Sequence, residues 1–112
     1  FKYPLKILRL QKRYNRYTFR FPRNVLELFR YAFKLRNCLK QNTYTNNILS
    51  NSAYIIGVYV NAQIKYAIEI QDNKLINFLG RNNKQPLKKD KKNILKILQQ
   101  NGIKLPKNKK RR

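Results

Sequence analysis

Two stretches, Tyr54-Ile55-Ile56-Gly57-Val58-Tyr59-Val60 and Ile64-Lys65-Tyr66-Ala67-Ile68-Glu69-Ile70, decide the fold. Both are rich in β-branched and aromatic residues, and Asn61-Ala62-Gln63 joins them at hairpin length. In the second stretch Ile64, Tyr66, Ile68 and Ile70 fall on one face by alternation, and Lys65 and Glu69 point away. Gln71 to Lys74 reads as a polar turn, and Leu75-Ile76-Asn77-Phe78-Leu79 as a third strand closed by Gly80. Three antiparallel strands in a meander are the economical topology.

Towards the N-terminus, Tyr17-Thr18-Phe19-Arg20-Phe21 alternates as a strand and stops at Pro22. Lys12, Arg13 and Arg16 lie in the connection before it, making a basic hairpin or paired-strand loop. Asn24 and Glu27 have the spacing of a capping box. Val25, Leu28, Phe29, Ala32, Leu35 and Leu39 follow at helical spacing, so an amphipathic helix of about four turns is expected. Arg23, Arg30, Lys34 and Lys40 lie mostly on its other side, where a solvated face and RNA contact are equally good readings. The lone Cys38 reads as a small apolar residue on a helix face. A neutral Asn- and Ser-rich connector, Gln41 to Ser52, comes next.

Towards the C-terminus, Arg81 to Lys89 is a basic loop, and Asp90 is placed to cap a helix over Ile94, Leu95, Ile97 and Leu98. Gly102 fits the left-handed position after that helix, with Ile103 packing back in a Schellman-type stop. Pro106 prevents continuation, and residues 107–112 form a basic tail. The expected fold is α+β: a small antiparallel sheet, made of the three-stranded meander plus N-terminal strands, packed by two helices. Residues 1–106 make one domain, within which 22–53 is a helical insertion and polar connector. The chain begins at Phe1 rather than Met, so either a leader has been removed or the start is missing.

Charge bounds the function. The chain carries 27 Lys and Arg against four acids, a formal net charge of +23 in 112 residues. Self-repulsion at that density calls for a polyanionic partner. The acids Glu27, Glu69, Asp72 and Asp90 are too scattered for a carboxylate pair or a two-metal site. There is no His, hence no imidazole base or ligand, and a single Cys lacks a base to activate it. These residue types argue against an enzyme, a metal site or any other cofactor, and against a small-molecule substrate. No apolar run reaches the roughly 20 residues of a membrane span. Lys, Asn, Ile and Tyr together make 51 of the 112 residues, the signature of A- and T-rich codons and hence of an organellar or otherwise strongly AT-biased genome.

Among polyanions, structured RNA fits best. No zinc-finger spacing, basic zipper or Gly-rich phosphate loop occurs, and the two helices lie too far apart for a helix-turn-helix. A membrane-binding helix would need a free apolar face, whereas these helices are the natural covers for the sheet. The expected phosphate contacts are Lys12, Arg13, Arg16, Arg20, Arg81, Lys84, Lys88, Lys89, Lys91 and Lys92, with Lys107, Lys109, Lys110, Arg111 and Arg112 of the tail. Tyr3, Tyr14, Tyr17 and Tyr44 are interleaved with cations; each fits an amphipathic core edge or a base-stacking platform, with Tyr14 and Tyr17 the best candidates for stacking. The alternatives are a non-specific DNA-binding or nucleoid protein and a basic accessory subunit of an organellar membrane complex.

Tyr66-Ala67-Ile68-Glu69-Ile70-Gln71-Asp72 resembles a strand of bacterial-type small-subunit ribosomal protein sixteen. Residues 76–83 look like its next strand and Asn-containing turn, and Ile94 to Leu98 with Gly102 and Pro106 look like its helix, Gly and Pro segment. Lys6 to Tyr14 resembles its first strand, and Thr18-Phe19-Arg20 lies near its second. The resemblance implies a small α+β domain that binds small-subunit rRNA, aids subunit assembly and carries out no catalysis. The expected partners are ribosomal RNA and neighbouring ribosomal proteins, not further copies of the chain in a homo-oligomer. It adds Lys6 and Arg9 to the expected RNA contacts, makes 22–53 an insertion and, with the codon signature, places the ribosome in a mitochondrion or another organelle.

Overall fold

The computed structural model of the chain describes residues 3–35 and 53–106. Cys38, Lys40, Tyr44, the polar connector and the tail lie outside the described residues.

The fold is α+β, a small antiparallel sheet with helices packed on it. The strands β1 (Arg13–Tyr14), β2 (Tyr17–Arg20), β3 (Tyr54–Val60), β4 (Gln63–Gln71) and β5 (Lys74–Leu79) lie in sequence order, each pairing with its neighbour. The central stretches therefore form the expected hairpin, and β5 completes the meander. Both turns of the meander have two residues with positive φ, Asn61–Ala62 and Asp72–Asn73. That is the left-handed geometry whose twist matches paired strands, and Asn and Asp adopt it readily.

The helices are α1 (Leu5–Leu8), α2 (Val25–Leu35) and α3 (Lys88–Gln100), with a 3-10 turn at Arg81–Asn83 before α3. α1 departs from the first-strand resemblance. Residues 5–8 make a single helical turn that buries Ile7, and only Arg13–Tyr14 of that stretch is strand. Helical spacing brings Ile7 and Leu10 into the core together, which strand alternation would not.

The two faces of the sheet are covered separately. On one, α3 and α1 bury Phe19, Ile56, Val58, Tyr66, Ile68, Ile70 and Phe78 against Ile94, Ile97 and Leu98. Each fully buried side chain of this kind contributes about 1.5–3 kcal/mol. On the other, α2 sets Leu28, Tyr31 and Leu35 on Ile55 and Ala67. Tyr31 rests over Gly57, where an added Cβ would stand 2.8 Å from its ring. The buried stripe of α2 thus runs through Tyr31 rather than Phe29, which is 39% exposed. Leu26 and Phe33 face outward with it.

A bulge between Val58 and Tyr59 shifts the register of β4. It turns Ile64 onto the α2 face and frees Lys65 to reach across to α3, so Ile64 parts from Tyr66, Ile68 and Ile70. Within segment 22–53, the helix α2 forms one wall of the domain.

Caps set the helix ends. The Asn24 side chain accepts the Glu27 amide at 3.0 Å, while the Glu27 carboxylate accepts the Arg23 amide at 2.6 Å, one residue earlier than in a standard capping box. At the end of α3, Gly102 has φ of 86°, its amide donates to the Gln99 carbonyl, and the Ile103 amide donates to the Leu98 carbonyl. That is the Schellman stop read from Gly102, and Ile103 is buried as expected. Beyond it, Lys104 pairs in parallel with Lys74 on the β5 edge.

Asp90 is a correction. The residue before α3 is Leu87, with no side-chain cap, and Asp90 sits in the first turn with its carboxylate turned inward. The buried hydroxyls of Tyr17 and Tyr66 require an acceptor, and Asp90 supplies it.

Candidate nucleic-acid interface

The cations read from the sequence divide between two surfaces. Lys88, Lys89, Lys91 and Lys92 are exposed on α3 and Lys6 and Arg9 on or beside α1, while Arg81 and Lys84 lie around the 3-10 turn, which neighbours α2. Arg13, Arg16 and Arg20 converge instead on the β1–β2–β3 end of the sheet. There they line a groove of about 520 Å³ with Thr18, Tyr59, Asn61 and Ala62. Register explains the meeting, because Arg13 pairs with Thr18 and Thr18 with Tyr59, which puts all three on one face. None of the residues lining this groove is acidic.

A second groove of about 320 Å³ adjoins it along α2, lined by Gln11, Arg20, Phe21, Arg23, Glu27, Arg30, Tyr31, Lys34 and Tyr59. Its one carboxylate is engaged: Arg23 donates to Glu27 through Nε at 3.1 Å and Nη2 at 2.9 Å. Those bonds hold the Glu27 carboxyl below the usual carboxylate range. Arg20 and Tyr59 line both grooves. The Arg20 guanidinium is 6.0 Å from the centroid of the Tyr59 ring, and Tyr31 meets that ring edge-on at 6.0 Å.

Tyr59 is an addition to the set read from the sequence, and Arg23, Arg30 and Lys34, whose face read equally well as solvated or as RNA-contacting, line one groove together. Spacing 23, 27, 30, 34 marks one side of a helix, and alternation puts Tyr59 on the face of Ile55 and Gly57. Both signals were present, but only the fold joins them to Arg13 and Arg20.

Among the tyrosines read as stacking candidates, Tyr17 is corrected. It is 1% exposed, and its hydroxyl donates to Asp90 at 2.7 Å, so its ring belongs to the core. Tyr3 packs on Phe21 at 4.6 Å and donates to the Pro22 carbonyl, a core-edge position. Tyr14 is half-buried against Phe19, with the Lys12 ammonium 5.2 Å from its ring.

Asp90 anchors this end of the molecule. It is 1% exposed and accepts from the hydroxyls of Tyr17 and Tyr66 and from Lys65 Nζ at 3.0 Å. Arg16 Nη2 lies 3.5 Å away. Burial pushes the Asp90 carboxyl up, but the bonds from Tyr66, Tyr17 and Lys65 outweigh it and hold the group at about 2. Burial, and after it the same carboxylate, raise the Tyr66 hydroxyl far above its ordinary value. Arg16, half exposed, therefore belongs both to this buried cluster and to the first groove.

Among the described residues no His, Cys, Asp and Glu cluster could hold a metal ion, and no helix is long and apolar enough to cross a membrane. No curated protein and no solved structure matches the chain. The family model of PcfJ-like protein matches residues 5–95, which include every strand, α1, α2 and the start of α3. The chain therefore belongs to the PcfJ-like protein family.

Proposed function

We propose that the chain is a structural RNA-binding protein, with the rRNA of an organellar ribosome, mitochondrial and on its small subunit, as the RNA it braces. One observation carries this reading. Cations from two separate segments, the β1–β2 hairpin and α2, converge on adjoining grooves in which the only carboxylate is already held by Arg23. Arginine dominates there, and its planar fork suits bidentate phosphate contact. The α3 lysines give a second basic surface on the opposite side of the sheet, which suits a protein embedded in folded RNA rather than one lying against a single duplex. The organelle rests on the codon signature, and the small subunit on the resemblance in residues 66–106. The family name carries no activity, so the reading stands on the surface itself.

The test is sedimentation of organellar lysate at moderate salt, with competition binding of purified chain. The chain should travel with ribosomal subunits and prefer folded rRNA to duplex DNA. Migration as a free 13.6 kDa species would overturn the ribosomal assignment, and equal affinity for duplex DNA would make it a nucleoid protein instead.

A further inference from the structure

Tyr59 occupies a position that phosphate binding alone does not require. It is half-buried on the sheet face, lines both basic grooves, and is fixed from below. The support is layered: Tyr31 holds the Tyr59 ring edge-on, and Tyr31 in turn lies over Gly57, whose missing Cβ lets the ring come close to the sheet. The Tyr31 hydroxyl is pushed up by burial and by Tyr59 beside it, so the Tyr31 ring stays neutral at any physiological pH. Cations flank the ring, with Arg13, Arg16 and Arg20 along one groove and Arg20, Arg30 and Lys34 along the other.

We propose that the two grooves form one track for single-stranded RNA, in which a nucleobase stacks on Tyr59 while the flanking phosphates lie against the arginines on each side. This rests on the RNA-binding reading above and names the form of RNA that the α2-side surface takes. In a duplex the base faces are already stacked on each other and an aromatic ring on a groove floor has nothing to meet. In a loop, bulge or strand end the base is free to turn onto such a ring. Volumes of about 320 and 520 Å³ fall within the roughly 300–1,000 Å³ of sites that enclose small organic ligands, room for a nucleotide on each side. The Arg20 guanidinium stands over the Tyr59 ring, 6.0 Å from its centroid, which keeps a cation next to the phosphates that flank a stacked base.

The experiment uses the full chain and two probes. One is a single-stranded oligoribonucleotide of about eight residues carrying one 2-aminopurine; the other is a blunt RNA duplex of about 16 base pairs, long enough to stay paired. The single strand should bind more tightly, and its 2-aminopurine emission should be quenched as the base stacks. Tyr59→Leu should weaken single-strand binding by roughly ten-fold and abolish the quench, leaving duplex binding unchanged, while Tyr59→Phe should retain both. Circular dichroism melts of both variants show whether the fold survives; if Tyr59→Leu melts early, the decision passes to Tyr59→Phe and to the emission of the unaltered chain. Unchanged emission on binding, or equal loss for strand and duplex in a folded Tyr59→Leu, would overturn the track while leaving RNA binding intact. Salt-independent or absent binding of both probes would overturn the RNA-binding reading and the track with it.

Discussion

Asp90 shows what one residue can organise. Its carboxylate joins α3 to β2 through Tyr17, to β4 through Tyr66 and Lys65, and to the hairpin turn through Arg16. Its position in the first turn of α3 adds the favourable end of the helix dipole. Because its pKa is depressed on folding, from about 3.8 to about 2, the stability it lends is fully present above pH 4. It drains away as pH falls towards 2, by on the order of 2 kcal/mol. Chemical denaturation of the unaltered chain should show that decline, and Asp90→Asn should flatten it. Asp90→Ala removes the acceptor for two buried hydroxyls and should cost about 3 kcal/mol in the same assay. An Asp90→Ala chain as stable as the original would show that Lys65 and the tyrosines are solvated without it.

At the scale of elements, α2 and the sheet are keyed by Gly57. A methyl there meets the Tyr31 ring at 2.8 Å, so Gly57→Ala should lift α2 and destabilise by about 1–3 kcal/mol, read from a shifted denaturation midpoint. Elements governed by local chemistry were legible in the sequence. β3, β4 and β5 announce themselves by β-branched runs and Asn or Asp turns, and α2 and the stop of α3 by their caps. What escaped depended on distance along the chain. Tyr17 and Asp90 are 73 residues apart, and nothing near either one says that they meet. The stretch around α1 has too few residues for its period to be distinctive, and the bulge that moves Ile64 across the sheet leaves no local mark. For the candidate interface, composition pointed to the cations. Only the register of β1, β2 and β3 assembles Arg13, Arg20 and Tyr59 into a groove.

For the whole molecule, the described cations form basic surfaces on either side of the sheet, and Arg16 lies both in the first groove and beside Asp90. Each arginine that holds a phosphate should leave its count in the salt dependence. Replacing Arg13 and Arg20 together with Gln, and sparing Arg16 because it also serves Asp90, should lower the slope of log affinity against log salt by about 1.4 on single-stranded RNA. A slope unchanged by the double substitution would place the phosphates elsewhere, on α3. The order of strands has a different consequence, for the history of the molecule rather than its surface. β3, β4 and β5 close through two-residue turns, whereas residues 21–53 intervene between β2 and β3. That long loop closure is the entropic toll on assembly, so the front hairpin docks last and undocks first. In native-state hydrogen exchange the amides of Tyr17–Arg20 should open at lower free energy than those of Tyr54–Val60. The groove arginines ride on that hairpin, so a bound nucleic acid would close the chain's last seam, and the exchange of β2 would slow in proportion to its occupancy.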